Sequence, residues 1–215
     1  MPRKSRPRRP ASPEAEVESP PRIIGGRLRG TRIPYTGDRR TRPMKERVRE
    51  NVFNLLGDGV PGMLALDLFA GTGALGLEAI SRGAPRAVFI ERHFPTCRTL
   101  RDCLAALELE ERCRVLAGDT FYWYPRLLGD VESSEEPFET SLPWLIFCAP
   151  PYDLYVEAAE PMDTLLNRFA EAAPLGSRLV VESDNRYDQA RLPASLTWNH
   201  RSYEPAEIAI GVKRE

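Results

Sequence analysis

Leu64-Ala-Leu-Asp67-Leu-Phe69-Ala-Gly71-Thr-Gly73-Ala-Leu-Gly76-Leu-Glu78 is the stretch on which the reading of this chain turns. Apolar residues run up to Asp67, glycines follow, and an apolar pattern resumes from Ala74 to Ile80. The predicted order is strand, tight turn, helix. Glycine at Gly71 and Gly73 permits a positive φ and leaves no Cβ in the path of a ligand. Backbone N–H groups at the start of the helix then face that ligand.

Gly71-x-Gly73-x-x-Gly76 has the form of a dinucleotide fingerprint. Glu91 ends the apolar run Ala87-Val88-Phe89-Ile90 and stands 20 residues after Gly71, where an acid at a spacing of about 20 binds a ribose. Asp67 separates the possibilities. A pyrophosphate gains nothing from a carboxylate just ahead of its glycines, whereas S-adenosylmethionine (SAM) carries an ammonium and a sulfonium. Further on, Phe147-Cys-Ala-Pro150-Pro151-Tyr152 follows another apolar run. The two stretches together resemble motifs I and IV of class I SAM-dependent methyltransferases that act on exocyclic amines. An NAD-dependent oxidoreductase is the competing reading, disfavoured by Asp67 and by the Pro-Pro-Tyr turn.

The chain has 215 residues, 42% of them hydrophobic, enough for one domain with appendages. No run approaches the ~18 apolar residues of a membrane span, and the first residues lack the apolar core of a secretory signal. Cys97, Cys103, Cys113 and Cys148 form no C-x-x-C pair and have no His at metal spacing, so reduced thiols and no metal are expected. These features suggest a cytoplasmic protein; a monomer is the expectation, although nothing in them sets the oligomeric state. The net charge of −1 conceals an asymmetry: residues 1–49 hold 15 Lys/Arg against 5 Asp/Glu, and the rest hold 15 against 26. A basic arm for a polyanion on an acidic body is one reading and a solvated tail the other. The expected division is a disordered basic tail over 1–21, a basic hairpin and helix over 22–57, and a ligand-binding domain over 58–215.

Taken in order, Arg22 to Pro34 reads as a hairpin turning at Gly25-Gly26, with Arg27, Arg29 and Arg32 on its outward strip. Arginine suits phosphate because its planar fork bonds two oxygens at once. A helix from Pro43 to Gly57 follows, with Met44, Val48, Val52, Leu55 and Leu56 as its apolar face. Arg42, Lys45, Arg47 and Arg49 add to the charge, Lys45 and Arg49 lying on a second face. Strands are expected at Arg86–Glu91, Cys113–Ala117, Trp144–Cys148 and Arg178–Glu182, with helices over Phe94–Leu107 and about 153–172. Ser195–Arg201 and Glu207–Val212 read as a closing antiparallel pair. Acids end three successive strands (Asp67, Glu91, Asp119), which places three carboxylates on the ligand edge of a parallel sheet; a lone acid there is otherwise a helix N-cap. The acidic stretch Gly129–Leu142 reads as a solvated insertion at the opposite edge.

An exocyclic amine on a base is a poor nucleophile because its lone pair is delocalised into the ring. Accepting its hydrogens localises that pair, and holding it in line with a methyl donor supplies ~7–11 kcal/mol of the barrier. Pro150 has no N–H to compete and offers a carbonyl; Tyr152 can stack on a base that has been flipped out or is already unpaired.

Arg22-Ile-Ile-Gly-Gly-Arg, Thr41-Arg42-Pro43 through Asn54, Asp67–Glu78 and Ser81-Arg82-Gly83-Ala84 resemble the bacterial small-subunit ribosomal RNA guanine-N2 methyltransferases (the RsmD family), over about Arg22 to Glu182. The resemblance implies an α/β, Rossmann-like fold with a seven-stranded, mostly parallel sheet and an N-terminal β-hairpin that touches RNA. It implies SAM as cofactor, ribosomal RNA or the small ribosomal subunit as partner, and no membrane. By position, Asp67, Phe69, Gly71, Gly73, Glu91, Arg92, Asp119 and Thr120 would hold SAM, with Glu91 on the ribose and Asp119 near the adenine. Pro150, Pro151 and Tyr152 would hold the guanine, and Arg27, Arg29, Arg32, Arg42, Lys45 and Arg47 the RNA. The family places Asp or Asn before the two prolines; here that position is Ala149. A weakly active or non-catalytic SAM- and RNA-binding assembly factor on the same fold is the alternative.

Overall fold

In the computed structural model, which describes residues 20–37, 43–132 and 137–214, seven strands form one sheet in the order β3-β2-β1-β4-β5-β7-β6. The strands are β1 (Leu64–Asp67), β2 (Arg86–Glu91), β3 (Cys113–Ala117), β4 (Trp144–Cys148), β5 (Arg178–Ser183), β6 (Thr197–Tyr203) and β7 (Ala206–Val212). β1 to β5 run parallel, and β7 pairs antiparallel with both β5 and β6. The helices are α1 (Glu46–Leu56), α2 (Ala74–Ser81), α3 (Phe94–Ala106), α4 (Thr120–Leu127), α5 (Leu154–Glu157) and α6 (Ala159–Ala172). The seven-stranded, mostly parallel α/β sheet is the expected one, and the edges of β1 to β4 fall where the apolar runs stop. The helix expected over about 153–172 is two, broken at Ala158 (φ −129°, ψ 43°).

Both faces of the sheet are covered. On one, Ala65, Phe89, Phe147 and Val180 pack with α1, α2 and the N-terminal arm; on the other, Leu66, Ile90, Ile146 and Val181 pack with α6. Residues 22–57 share the first of these cores with the sheet, through Ile23, Ile33, Val52, Phe53 and Leu56. Strand order reverses between β1 and β4, so the crevice beyond their carboxyl ends is a switch point. There Leu68 N–H bonds the Phe147 carbonyl at 3.0 Å, tying the two loops together.

Three local expectations are corrected. The hairpin is reduced to a single bridge, Arg22 opposite Arg32, and Gly25-Gly26 is not its turn. Ile24 and Gly25 donate their N–H groups to the Glu78 carboxylate at 2.7 and 2.8 Å, and Arg27 N–H bonds the Ser81 carbonyl at 2.8 Å. A Cβ on Gly26 would stand 2.0 Å from that carbonyl oxygen, so the glycine serves close docking on α2, and the chain reverses later, over residues 26–31.

On α1, Leu55 is 38% exposed while Arg49 and Phe53 are buried. The Arg49 guanidinium bonds the Arg22 and Met44 carbonyls and lies 4.0 Å from Glu78, and burial lowers its pKa against the pull of that carboxylate. Arg49 therefore belongs to the fold and not to a solvent-facing basic cluster. The described part of the acidic stretch sits at the far edge, where Glu139 pairs with Arg86 at the start of β2. It is not wholly solvated, because Phe138 is buried against Trp144 and Phe169. Residues 1–19, Arg42, Glu135 and Glu136 lie outside the described residues.

Candidate functional site

A cavity of about 650 Å³ opens at the switch point, within the usual ~300–1,000 Å³ of a small-molecule site. Its walls come from every parallel strand end and from the start of α1.

One half is built by the glycine turn. Gly71 and Gly73 hold φ of 52° and 77°, the left-handed region that glycine enters freely. Gly73 N–H closes the turn on the Ala70 carbonyl at 2.7 Å, and Ala70 N–H is held by Ile90 at 2.9 Å. Glu91 fastens the loop: one carboxylate oxygen accepts Gly71 N–H at 2.8 Å and the other accepts His93 N–H at 2.7 Å. An ionised carboxylate has about four lone-pair sites, so two remain for hydroxyl donors. Phe69 and Phe121 meet edge-on with centroids 6.4 Å apart, and both line the cavity. Asp119 lines it too while capping α4, accepting Phe121 N–H at 2.7 Å. Arg92 is exposed at the rim. Thr120 is also on the wall, with its hydroxyl donated to the Leu68 carbonyl.

Asp67 and Gly73 lie behind this wall. Asp67 is 1% exposed and accepts Gly76 N–H at 3.1 Å. Gly76 is the third residue of α2, where an N–H has no acceptor within the helix. Burial raises the Asp67 carboxyl to about 7, against the Gly76 bond that lowers it, with Glu91 adding to the rise. A Cβ on Gly73 would come within 2.6 Å of Leu100 and 3.3 Å of Phe89, both core side chains. The glycine therefore serves packing behind the loop, not clearance for a ligand.

The other half is built by the turn after β4 and by elements beyond it. Ala149, Pro150, Pro151 and Tyr152 line it, opposite Pro43, Met44, Lys45 and Val48 at the start of α1. The Tyr152 hydroxyl donates to Glu182 at 2.8 Å. Glu182, near the end of β5, and Tyr203, Pro205 and Ala206 of the β6–β7 turn complete the wall. Glu182 carries the same signal as Asp67, Glu91 and Asp119, an acid at a parallel strand end, and could have been found by extending that pattern to β5. Cys148 is fully buried, and desolvation pushes its thiol up to about 12. A thiol so held is a poor nucleophile.

The predicted basic residues divide. Lys45, the N-cap of α1, is on the cavity wall, and Arg47 is exposed in the first turn of the helix. Arg27, Arg29 and Arg32 are exposed but outside the cavity. Arg32 faces Arg22, which bonds Glu46, the neighbour of Lys45, at 3.1 Å. Arg27 lies at the far end of α2. Among the described residues no group of His, Cys, Asp or Glu could hold a metal, and no helix is long and apolar enough to cross a membrane.

Chemically, one half offers carboxylates, an aromatic pair and a glycine loop, and the other a proline-bounded slot with a tyrosine. That set fits SAM: Glu91 offers acceptors to a ribose diol, Asp119 one to an adenine amine, and three wall carboxylates favour a cationic ligand.

The model of a protein family described as "Conserved hypothetical protein 95" matches residues 21–208. "Putative rRNA methyltransferase YlbH" of Bacillus subtilis (strain 168) is 35% identical over 194 residues, 90% of this chain and 99% of that protein. "Ribosomal RNA small subunit methyltransferase D" of Escherichia coli (strain K12) is 45% identical over 87 residues, 40% of this chain and 44% of that protein. Among solved structures, "Putative methyltransferase yhhF from Escherichia coli" superposes with a TM-score of 0.72 at 26% identity, covering 92% of this chain and 100% of that one.

Proposed function

The chain belongs to the family described as "Conserved hypothetical protein 95", and from that premise we propose that it is a SAM-dependent ribosomal RNA methyltransferase whose target is the exocyclic N2 amine of a guanine in the small subunit. The observation that carries the reading is the single cavity joining the Gly71–Glu91 half to the Pro150–Tyr152 half. A methyl donor in the first half meets a base in the second, without another subunit. The relatives named above are methyltransferases by name, two of them acting on ribosomal RNA.

SAM supplies a methyl group on a positively charged sulfur. Glu91 holds the ribose, Asp119 the adenine edge, and the Phe69–Phe121 pair encloses the ring. Asp67 works from below, fixing Gly76 and with it the pitch at which α2 leaves the loop. On the other side, Tyr152 stacks on the base while Pro150 presents a carbonyl to the amine. Cys148, buried and protonated, excludes attack through a thiolate adduct. Lys45 at the rim and the exposed Arg27, Arg29, Arg32 and Arg47 contact phosphates, with Arg42 between them in sequence. The protein works as a monomer in the cytoplasm, with residues 22–57 as its RNA-contacting part.

The test is incorporation of labelled methyl from SAM into purified small-subunit ribosomal RNA and into assembled small subunits. Incorporation into either is expected, with none into transfer RNA. Absence of label from both ribosomal substrates, by a protein that binds SAM, would refute the proposal.

A further inference from the structure

A carboxylate stands beside Ala149 on the neighbouring strand. The β4–β5 register pairs Phe147 with Val180 and Cys148 with Val181, so the next residues, Ala149 and Glu182, come side by side. Facing pairs in a parallel sheet share a side. Phe147 and Val180 belong to one core, Cys148 and Val181 to the other, and Ala149 packs against the core of Phe147. Ala149 and Glu182 thus project to one side, and both line the cavity.

Ala149 has no polar side-chain atom, and its methyl leaves room over the strand end. Of the three carboxylates on the cavity wall, Glu91 and Asp119 bind backbone N–H groups of the loops they fasten. Glu182 is instead oriented by the Tyr152 hydroxyl, and its carbonyl by the Tyr155 hydroxyl at 3.0 Å. It is the carboxylate on the side of the cavity that takes the base.

We infer that Glu182 is a catalytic residue, the acceptor of the target amine's hydrogen bond and then of its proton, supplied from β5 where the turn after β4 offers only a methyl group. The inference rests on the reading of the protein as an amine methyltransferase. In the transfer step the amine nitrogen forms a bond to the methyl carbon while the carbon–sulfur bond breaks. Its electron pair stays on sulfur, which becomes a neutral thioether. The nitrogen, momentarily cationic, gives its proton to Glu182, and that proton passes to solvent on product release. Tyr152 is then a positioning residue as well as a stacking surface.

The test is single-turnover transfer of labelled methyl from SAM to small-subunit RNA and assembled subunits. Native protein is compared with Glu182→Gln, Tyr152→Phe and the double variant Glu182→Gln with Ala149→Asp. SAM affinity is measured on each by calorimetry. Glu182→Gln keeps shape but cannot take the proton; transfer should slow roughly 10²-fold, the range for removing one donor or acceptor from developing charge, with SAM affinity unchanged. The double variant, with a carboxylate returned beside the lost one, should recover at least tenfold. Tyr152→Phe keeps the ring and should slow transfer severalfold; it carries the test if the Gln variant does not fold. Native-rate transfer by Glu182→Gln, or by Tyr152→Phe in its place, would overturn the inference and leave the methyltransferase intact. A native protein that binds SAM and transfers to neither substrate would overturn both.

Discussion

Asp67 accepts the N–H of Gly76 at 3.1 Å from beneath the glycine loop, 1% exposed and behind the residues that line the cavity. Its acid is therefore the anchor of the loop rather than one of its ligand contacts. The α2 N-terminus favours a charge there, but burial wins, and the carboxyl is raised from 3.8 to about 7.

That balance predicts a pH dependence. Below about pH 4 Asp67 is protonated in both folded and unfolded chains. Between there and about 7 only the unfolded chain loses the proton, so stability falls as pH rises. The difference is worth on the order of 4 kcal/mol. Asp67→Asn keeps the acceptor for Gly76 without the charge. Urea unfolding should show the variant gaining on the native protein from pH 5 to 7 and levelling above. A constant difference across that range would contradict the assignment.

SAM binding should report the same proton from the other side. A bound sulfonium and ammonium favour the ionised carboxylate, so native affinity should rise severalfold between pH 6 and 8, with proton release in calorimetry. In Asp67→Asn the rise should shrink.

Gly76 stands where a Cβ would come within 2.3 Å of the Phe89 ring, itself fully buried. Gly76→Ala should destabilise by about 1–3 kcal/mol through overpacking, despite the better helix propensity of alanine. Adding Phe89→Leu to Gly76→Ala should recover part of the loss, as double-mutant thermal unfolding would show. Additive losses would mean the two do not meet.

Glu78 holds the N-terminal arm: its buried carboxylate accepts Ile24 N–H, Gly25 N–H and Arg82 Nε, with Arg49 at 4.0 Å. Glu78→Gln removes the charge that compensates Arg49, and breaking such a buried pair costs about 3–5 kcal/mol. Hydrogen exchange should rise at Ile23, Ile24 and Gly25 before it rises in β1. Protection unchanged in the arm would contradict this role.

How much of this was legible in the sequence follows from what each residue advertises. β1 to β4 end where an apolar run meets Asp, Glu, Gly or Pro, and those signals are local. The same run of signals marks Glu91 and Asp119, which reach the cavity. Arg49 is not legible: a charged residue on an amphipathic helix reads as exposed, and its compensating acid, Glu78, lies 29 residues on in another helix. Misplacing Arg49 also rotates the apolar face of α1 and buries Leu55 in place of Phe53. Gly25-Gly26 carries a turn signature, yet the glycines serve close approach to the end of α2, Gly26 to Ser81 and Gly25 to the Arg82 side chain, a tertiary reason that no local pattern states. Glu182 repeats the strand-end signal of Glu91 and Asp119 and is legible once β5 is read as a parallel strand, whereas Tyr203, Pro205 and Ala206 enter the site only once β7 folds back between β5 and β6.

Arg27, Arg29 and Arg32 should supply phosphate contacts without base specificity. Each neutralised single-strand phosphate adds about −0.7 to the log–log salt slope of binding. Replacing all three by alanine should flatten the slope by about 2 and leave SAM affinity unchanged. An unchanged slope in a folded triple variant would contradict the assignment.

The most direct measurement is nucleoside analysis by mass spectrometry of small-subunit ribosomal RNA, as free RNA and as assembled subunits, after incubation with SAM and the native protein. The account predicts N2-methylguanosine at a single site in one of the two substrates, and none in either substrate with Glu182→Gln over the same short time. Methyl groups found on a base carbon, on a ribose hydroxyl or on no nucleoside at all would contradict it.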